Sequence, residues 1–210
     1  MAQQIFDVTR TINPNLAVWP GDTSFSAKRI VDMAEGAPIN LFTLTISTHT
    51  GTHADAPYHF LNDDITIEQV PLEPYLGSAT LVTVQREAGP LTPADFPADL
   101  AWDQIERLLV HSVASEKPHA EFPTEFIYPS PELADHLAAH GVILFGSDAP
   151  SMDHMHSKSL PGHNALRRHR IAILEGLLLT GVPDGNYELI ALPLKLEGSD
   201  GSPVRAILRA

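Results

Sequence analysis

The chain contains no cysteine. That removes disulfides, thiolate nucleophiles and Cys-ligated zinc together, and leaves His, Asp and Glu as the side chains able to hold a metal. Basic residues are scarce: 13 Lys and Arg stand against 26 Asp and Glu in 210 residues, a formal charge of −13. Even full protonation of the 11 histidines leaves the chain acidic, so neither nucleic acid nor an anionic membrane is an expected partner. No stretch reaches the roughly 18 apolar residues that a membrane-spanning helix needs. The opening MAQQIFDVTR lacks the basic and apolar regions of a signal peptide, and a cytoplasmic protein is expected. There is no internal repeat, no low-complexity tract and no G-x-S-x-G elbow to present a serine nucleophile.

What is present is enough for a core: 43% of residues are hydrophobic, and 13 Gly with 18 Pro point to many short elements joined by stiff turns. Residues 1–210 are expected to form one compact α/β domain, rich in mixed β-sheet, with few short helices. From Ile39 to Ser47, Phe42, Leu44 and Ile46 alternate with Thr43, Thr45 and Ser47, the period of two that predicts a half-buried strand. Further strands are predicted at Ala79–Gln85, Leu108–Val113, Val142–Phe145, Ile171–Leu179, Tyr187–Leu196 and Val204–Leu208. The clearest helix runs from Pro131 to His140, with Ser130 as N-cap and Gly141 as the stop. A second is predicted over Asn164–His169.

The chemistry concentrates in STHTGTHADAPYHF, where His49, His53, Asp55 and His59 fall within eleven positions. An even spread of histidines would put fewer than one in that window. Gly51 and Pro57 disfavour a regular helix, so His49 and His53 are expected at a strand end and in the loop after it. Asp55 follows His53 by two, which places both side chains on one side of an extended backbone. Imidazoles beside a carboxylate suit zinc, manganese or iron better than calcium.

A second signal lies in RIAILEGLLL, where Glu175 interrupts an otherwise buried apolar run. An uncompensated buried carboxylate costs several kcal/mol, so Glu175 requires an arginine (Arg167, Arg168 or Arg170), a raised pKa, or a metal. His163 lies twelve positions upstream and offers a further donor. With His59 nearby, His49, His53, Asp55, His163 and Glu175 exceed what one tetrahedral zinc needs, which points to two metals bridged by carboxylates. His136 and His140 are expected on a solvated helix face. His169 is either packed in the core or adjacent to Glu175, and Phe42 and Phe60 are expected in the core, with a substrate wall as the alternative.

The segment HTGTHADAPYH resembles the HxGTHxDxPxH signature of the cyclase family of metal-dependent hydrolases. AVWPGDT (Ala17–Thr23), the SDAPS and SKS elements of Ser147–Ser159, HRIAILEG (His169–Gly176) and YELIALPLKLEGSDGSPVRAILR are similar to blocks of the bacterial kynurenine formamidases within that family. The resemblance spans nearly the whole chain. It implies a swivelling β/β/α fold and a homodimer. It also implies two zinc ions per chain, with manganese as the alternative: His49, His53 and Asp55 bind one, while Asp55 and Glu175 bridge to a second that His163 also binds. His59 takes the family's proton donor and acceptor position, with metal ligation as its alternative, and Trp19 contacts substrate. His154 and His156 depart from the family pattern; His163 is preferred because its spacing from Glu175 fits. The implied reaction is hydrolysis of N-formyl-L-kynurenine to formate and L-kynurenine in tryptophan breakdown. The alternatives are a sister amide hydrolase of the isatin hydrolase kind and a non-catalytic metal-binding protein.

Overall fold

A computed structural model describes residues 4–210. In chain order its strands are β1 (Ile5–Asp7), β2 (Ser26–Val31), β3 (Leu41–Thr45), β4 (His53–Asp55), β5 (Leu76–Thr83), β6 (Gly89–Leu91), β7 (Arg107–His111), β8 (Ile127–Pro129), β9 (Leu144–Ser147), β10 (Ala172–Glu175), β11 (Gly185–Ile190), β12 (Gly201–Pro203) and β13 (Ile207–Arg209). Two α-helices accompany them, α1 (Pro131–Ala139) and α2 (Pro161–Arg168). Nine strands make one mixed sheet in the order β1-β13-β11-β5-β7-β9-β10-β4-β12. Its centre, β5, β7, β9 and β10, is parallel, and both flanks are antiparallel. This is a strand-rich mixed α/β fold, and no helix among the described residues is long and apolar enough to cross a membrane.

Successive residues of the parallel centre point to opposite faces, and both faces are covered, as parallel sheets require. Leu108, Val110, Phe145 and Ile173 enter one core with Leu133 and Leu137 of α1 and Ala165 and Leu166 of α2. Leu109, Leu144 and Leu174 enter the other, with Ala54, Ala56, Tyr75 and Leu208. The expected cap of α1 is present: Ser130 Oγ accepts from the Leu133 amide at 3.1 Å.

Several boundaries differ from those predicted. The strand expected over Ile171–Leu179 stops at Glu175 because Gly176 takes a φ of 65°, a left-handed conformation open to glycine. A Cβ there would lie 2.2 Å from the Gly51 carbonyl oxygen. The two glycines thus let the His49–His53 turn press against the end of β10, where Glu175 sits. The strand expected at Ile39–Ser47 forms only as Leu41–Thr45 and pairs with β2 in a separate two-stranded ribbon. Its expected buried face is open: Phe42 is 46% and Leu44 59% exposed. The alternation marks a face that asks for a cover, and none of the described residues provides one.

Candidate metal centre

His53 and Asp55 are the two ends of β4, three residues long and buried throughout. Being two apart on an extended strand they point the same way, and antiparallel pairing sets His53 opposite Glu175 of β10. His49 arrives from the turn before Gly51, whose φ is 68°, and His163 from the first turn of α2. Four separate stretches of chain therefore converge. His53 Nε2 lies 3.2 Å from Glu175 Oε2 and 3.4 Å from Asp55 Oδ1. His49 Nδ1 is 3.0 Å from Asp55 Oδ1. His163 Nε2 is 3.5 Å from both Asp55 Oδ2 and Glu175 Oε1.

The imidazoles are aimed by their outer nitrogens. His53 Nδ1 donates to the Gly51 carbonyl at 3.0 Å. His163 Nδ1 meets Asp153 Oδ2 at 2.7 Å, and the same carboxylate accepts from the Gly162 and His163 amides, capping α2. Such outer partners set which nitrogen remains free for a metal.

No arginine compensates Glu175: among the described residues its ion-pair partners are His53 and His163. Asp55 Oδ2 and Glu175 Oε1 are buried with no hydrogen-bond partner among the described residues, their nearest imidazole nitrogen being too distant for a good bond. Two orphaned carboxylate oxygens beside one imidazole are costly in a closed interior and suit a cation. The donor atoms fall into two overlapping groups, each within 4.8 Å: His49, Asp55 and His59, and His53, Asp55 and Glu175. Asp55 belongs to both. The residues fit divalent metal ions of the kind that imidazole and carboxylate bind.

Electrostatics give the same picture. Burial alone would favour neutral imidazoles, but Asp200 and Asp55 raise His49 to about 9, and Asp55 and Glu175 raise His53 to about 10. Burial is likewise outweighed at His163, raised well above its ordinary value by Asp153, Asp55 and Glu175. Asp55 is held well below the carboxylate range by the three imidazoles despite burial.

His59 ends the short turn Pro57–His59 and is partly exposed, with its ring centroid 4.0 Å from that of His49. Its Nδ1 lies 3.3 Å from Asp200 Oδ2. Asp200 was not singled out in the sequence. It also meets His49 Nε2 at 3.1 Å and accepts from Thr48 Oγ1 at 2.8 Å; the His49 contact holds its carboxyl below the usual range. Asp153 was missed as well. Both acids sit in polar stretches whose composition carries no sign of burial, so no local signal marked them.

The centre opens into a cleft of about 450 Å³ lined by Leu16, Val18, Trp19, Phe122, Pro150 and Leu160. Trp19 packs edge-on against Phe122, ring centroids 5.3 Å apart. His154 and His156 are exposed, pairing ring to ring at 5.5 Å and not with the centre. His169 adopts neither expected role: its Nε2 contacts Asp135 at 2.7 Å. His136 and His140 are partly covered by Trp102 rather than fully solvated. Phe42 lies on the exposed ribbon rather than in the core, while Phe60 packs against the core and the His163 ring. Asp148 accepts from the amides and hydroxyls of Ser112 and Ser115.

Residues 6–154 match the family model described as putative cyclase, and the chain belongs to that family. Within it, the chain is 42% identical over 209 residues to a kynurenine formamidase of Maricaulis maris, covering 98% of both chains. It is 40% identical over 207 residues to one of Erythrobacter litoralis, covering 99% of this chain and 94% of the relative. Among solved structures, a predicted metal-dependent hydrolase from Bacillus stearothermophilus is 28% identical with a TM-score of 0.81, covering 100% of this chain and 99% of that one. Isatin hydrolase A from Labrenzia aggregata shares the fold, with a TM-score of 0.83 at 23% identity over 99% of this chain and 94% of its own.

Proposed function

We propose that this chain is a metal-dependent kynurenine formamidase, a single domain over 1–210 that hydrolyses N-formyl-L-kynurenine to formate and L-kynurenine. The observation that carries the reading is Asp55: it is shared by two groups of donors and leaves one buried oxygen without a protein partner, as does Glu175 beside it. The identity to kynurenine formamidases over the full chain supports the choice of substrate.

His49, His53 and Asp55 would hold one zinc, and Asp55, Glu175 and His163 a second, with manganese as the alternative metal. Formanilide hydrolysis needs a strong nucleophile, a partner for charge developing on the formyl oxygen, and a proton for the departing aryl nitrogen. Divalent ions at this centre supply the first two, by lowering the pKa of water to about 7 and by polarising a carbonyl. The third falls to His59. With Asp200 accepting from its Nδ1–H, the other ring nitrogen is left to take up a proton and deliver it as the C–N bond breaks. The formyl group needs little space, and Trp19 offers the aryl ring an apolar wall.

The enzyme would act in the cytoplasm as a homodimer. The β2–β3 ribbon supports the dimer: an isolated two-stranded sheet is marginal in water, and this one exposes Leu41, Phe42 and Leu44 together. The test is formyl-kynurenine hydrolysis by the purified protein before and after chelation, with metal measured per chain. Activity lost with the metal and restored on its return is the expected result; fully loaded protein without turnover refutes the reading. His59→Ala should retain its metal and lose roughly 10²- to 10⁴-fold in kcat, and loss of metal instead would make His59 a ligand.

A further inference from the structure

Arg10, in the segment after β1, lines the cleft beside the metal centre. Its Nε donates to the Gly176 carbonyl at 3.1 Å, and Nη2 reaches the carbonyls of Asp148 at 3.2 Å and Ala114 at 3.4 Å. All three acceptors are neutral. Nη1 makes no hydrogen bond among the described residues, and none of the ion pairs found there includes Arg10. The carboxylate of Asp148, which bears on Arg10 electrostatically, is saturated by four donors from Ser112 and Ser115.

A partly buried guanidinium without a carboxylate is unusual in any chain, and more so in one with 26 acidic residues and a charge of −13. Lys117 lines the same cleft, with Asp22 and Glu121, yet none of the three pairs with Arg10; the pKa of His119, also in the lining, is pushed down by burial and by the charge of Arg10. The guanidinium is also held at a fixed place relative to the metal ligands, since Gly176 directly follows Glu175. Its three carbonyl contacts engage Nε and Nη2 and immobilise the plane of the guanidinium, leaving Nη1 free.

We propose that this free Nη1 of Arg10 binds the carboxylate of the substrate, the anionic end of an amino-acid side arm on the formylated aryl amine, and so selects carboxylate-bearing formanilides over neutral ones. A charge-assisted hydrogen bond from an immobilised guanidinium to a carboxylate is strong and directional, and a lysine, with its donors on one flexible nitrogen, cannot keep the carbonyl anchors and the free donor at the same places. The inference rests on the formamidase reading and adds a specificity residue to it; Arg10 does not touch the formyl group.

The test compares two substrates that share the formanilide and differ in the side arm: N-formyl-L-kynurenine and its decarboxylated counterpart, N-formylkynuramine. The unmodified enzyme is expected to prefer the first in kcat/KM. Arg10→Lys and Arg10→Gln are each expected to erase roughly ten- to hundredfold of that preference, with KM for N-formyl-L-kynurenine rising more than kcat falls. If Arg10 merely staples three loops together, both substrates suffer alike and the preference survives, which overturns the proposal. A measurement independent of the variants uses the unmodified enzyme, inhibited by L-kynurenine or by kynuramine. Tighter inhibition by L-kynurenine is expected, and equal inhibition overturns the proposal. Equal turnover of both formanilides refutes the carboxylate site alone, whereas no turnover of either refutes the formamidase reading and this inference with it.

Discussion

Adding Zn2+ to chelator-stripped protein at pH 7 is expected to expel about two to three protons per chain, because imidazoles bind metal only when deprotonated. Without metal, Asp55, Glu175 and Asp200 overcome the effect of burial and hold His49 near 9 and His53 near 10. His163 is raised in the same direction by Asp153, Asp55 and Glu175. Removing a proton at pH 7 from a group titrating near 9 costs about 3 kcal/mol, and from one near 10 about 4 kcal/mol. These penalties are subtracted from the binding free energy. They fade as pH approaches the values themselves, so between pH 7 and 9 the overall apparent association constant should climb by about two to three decades per pH unit, one for each proton displaced. The assay is calorimetric titration with Zn2+ against a competing chelator in buffers of different ionisation enthalpy; the dependence of heat on buffer gives the proton count. Buffer-independent heats together with a pH-independent affinity would mean that the imidazoles are already neutral. The carboxylates would then not be facing them as described, and the reasoning would fail.

Metal-free protein should lose stability on alkalinisation. His49 and His53 titrate above the ordinary 6.5, so their contribution is full below about 6.5 and lost as pH rises through about 9 to 10; a melting temperature unchanged from pH 7 to 10 would contradict this. Asp200→Asn should leave metal content intact and lower kcat by about tenfold or more, by loosening the orientation of His59; wild-type kcat would remove Asp200 from the proton path. Gly176→Ala must place a Cβ 2.2 Å from the Gly51 oxygen at a φ of 65°, and should cost at least about 2 kcal/mol in denaturant unfolding. Leu44→Asp should reduce the mass measured by light scattering from that of two chains to that of one, and an unchanged dimer would place the interface elsewhere than the β2–β3 ribbon.

How much of this was legible in the sequence depended on whether the signal was local. His49, His53 and Asp55 crowd into seven positions, and Glu175 stands out as a charge in an apolar run, so the ligand candidates could be found before any fold was known. Strands β3, β5, β7, β9, β10 and β11 and helix α1 were visible through their apolar pattern and cap, and the strand expected at Val204–Leu208 overlaps β13, whereas the exposed six-residue β2 was missed and β1, β4, β6, β8 and β12 are three residues each, too short for alternation to register. The exposed face of β3 shows a different limit, since alternation says which side of a strand is apolar and nothing about what covers it. Asp200 and Arg10 were invisible because their roles are set by partners far along the chain: Asp200 meets Thr48 across 152 positions and Arg10 meets Gly176 across 166; Asp153 meets Gly162 and His163 across a loop of irregular backbone, where no period links them. Gly201 makes the point most directly. Next to Asp200 in a Gly-Ser-Asp-Gly run it reads as turn punctuation, yet it belongs to β12, and a Cβ there would lie 2.8 Å from His49 Cε1. Its missing side chain is the space that the His49 ring needs to reach both Asp55 and Asp200. A requirement of that kind is a property of packing between segments, and composition or spacing within either segment cannot express it.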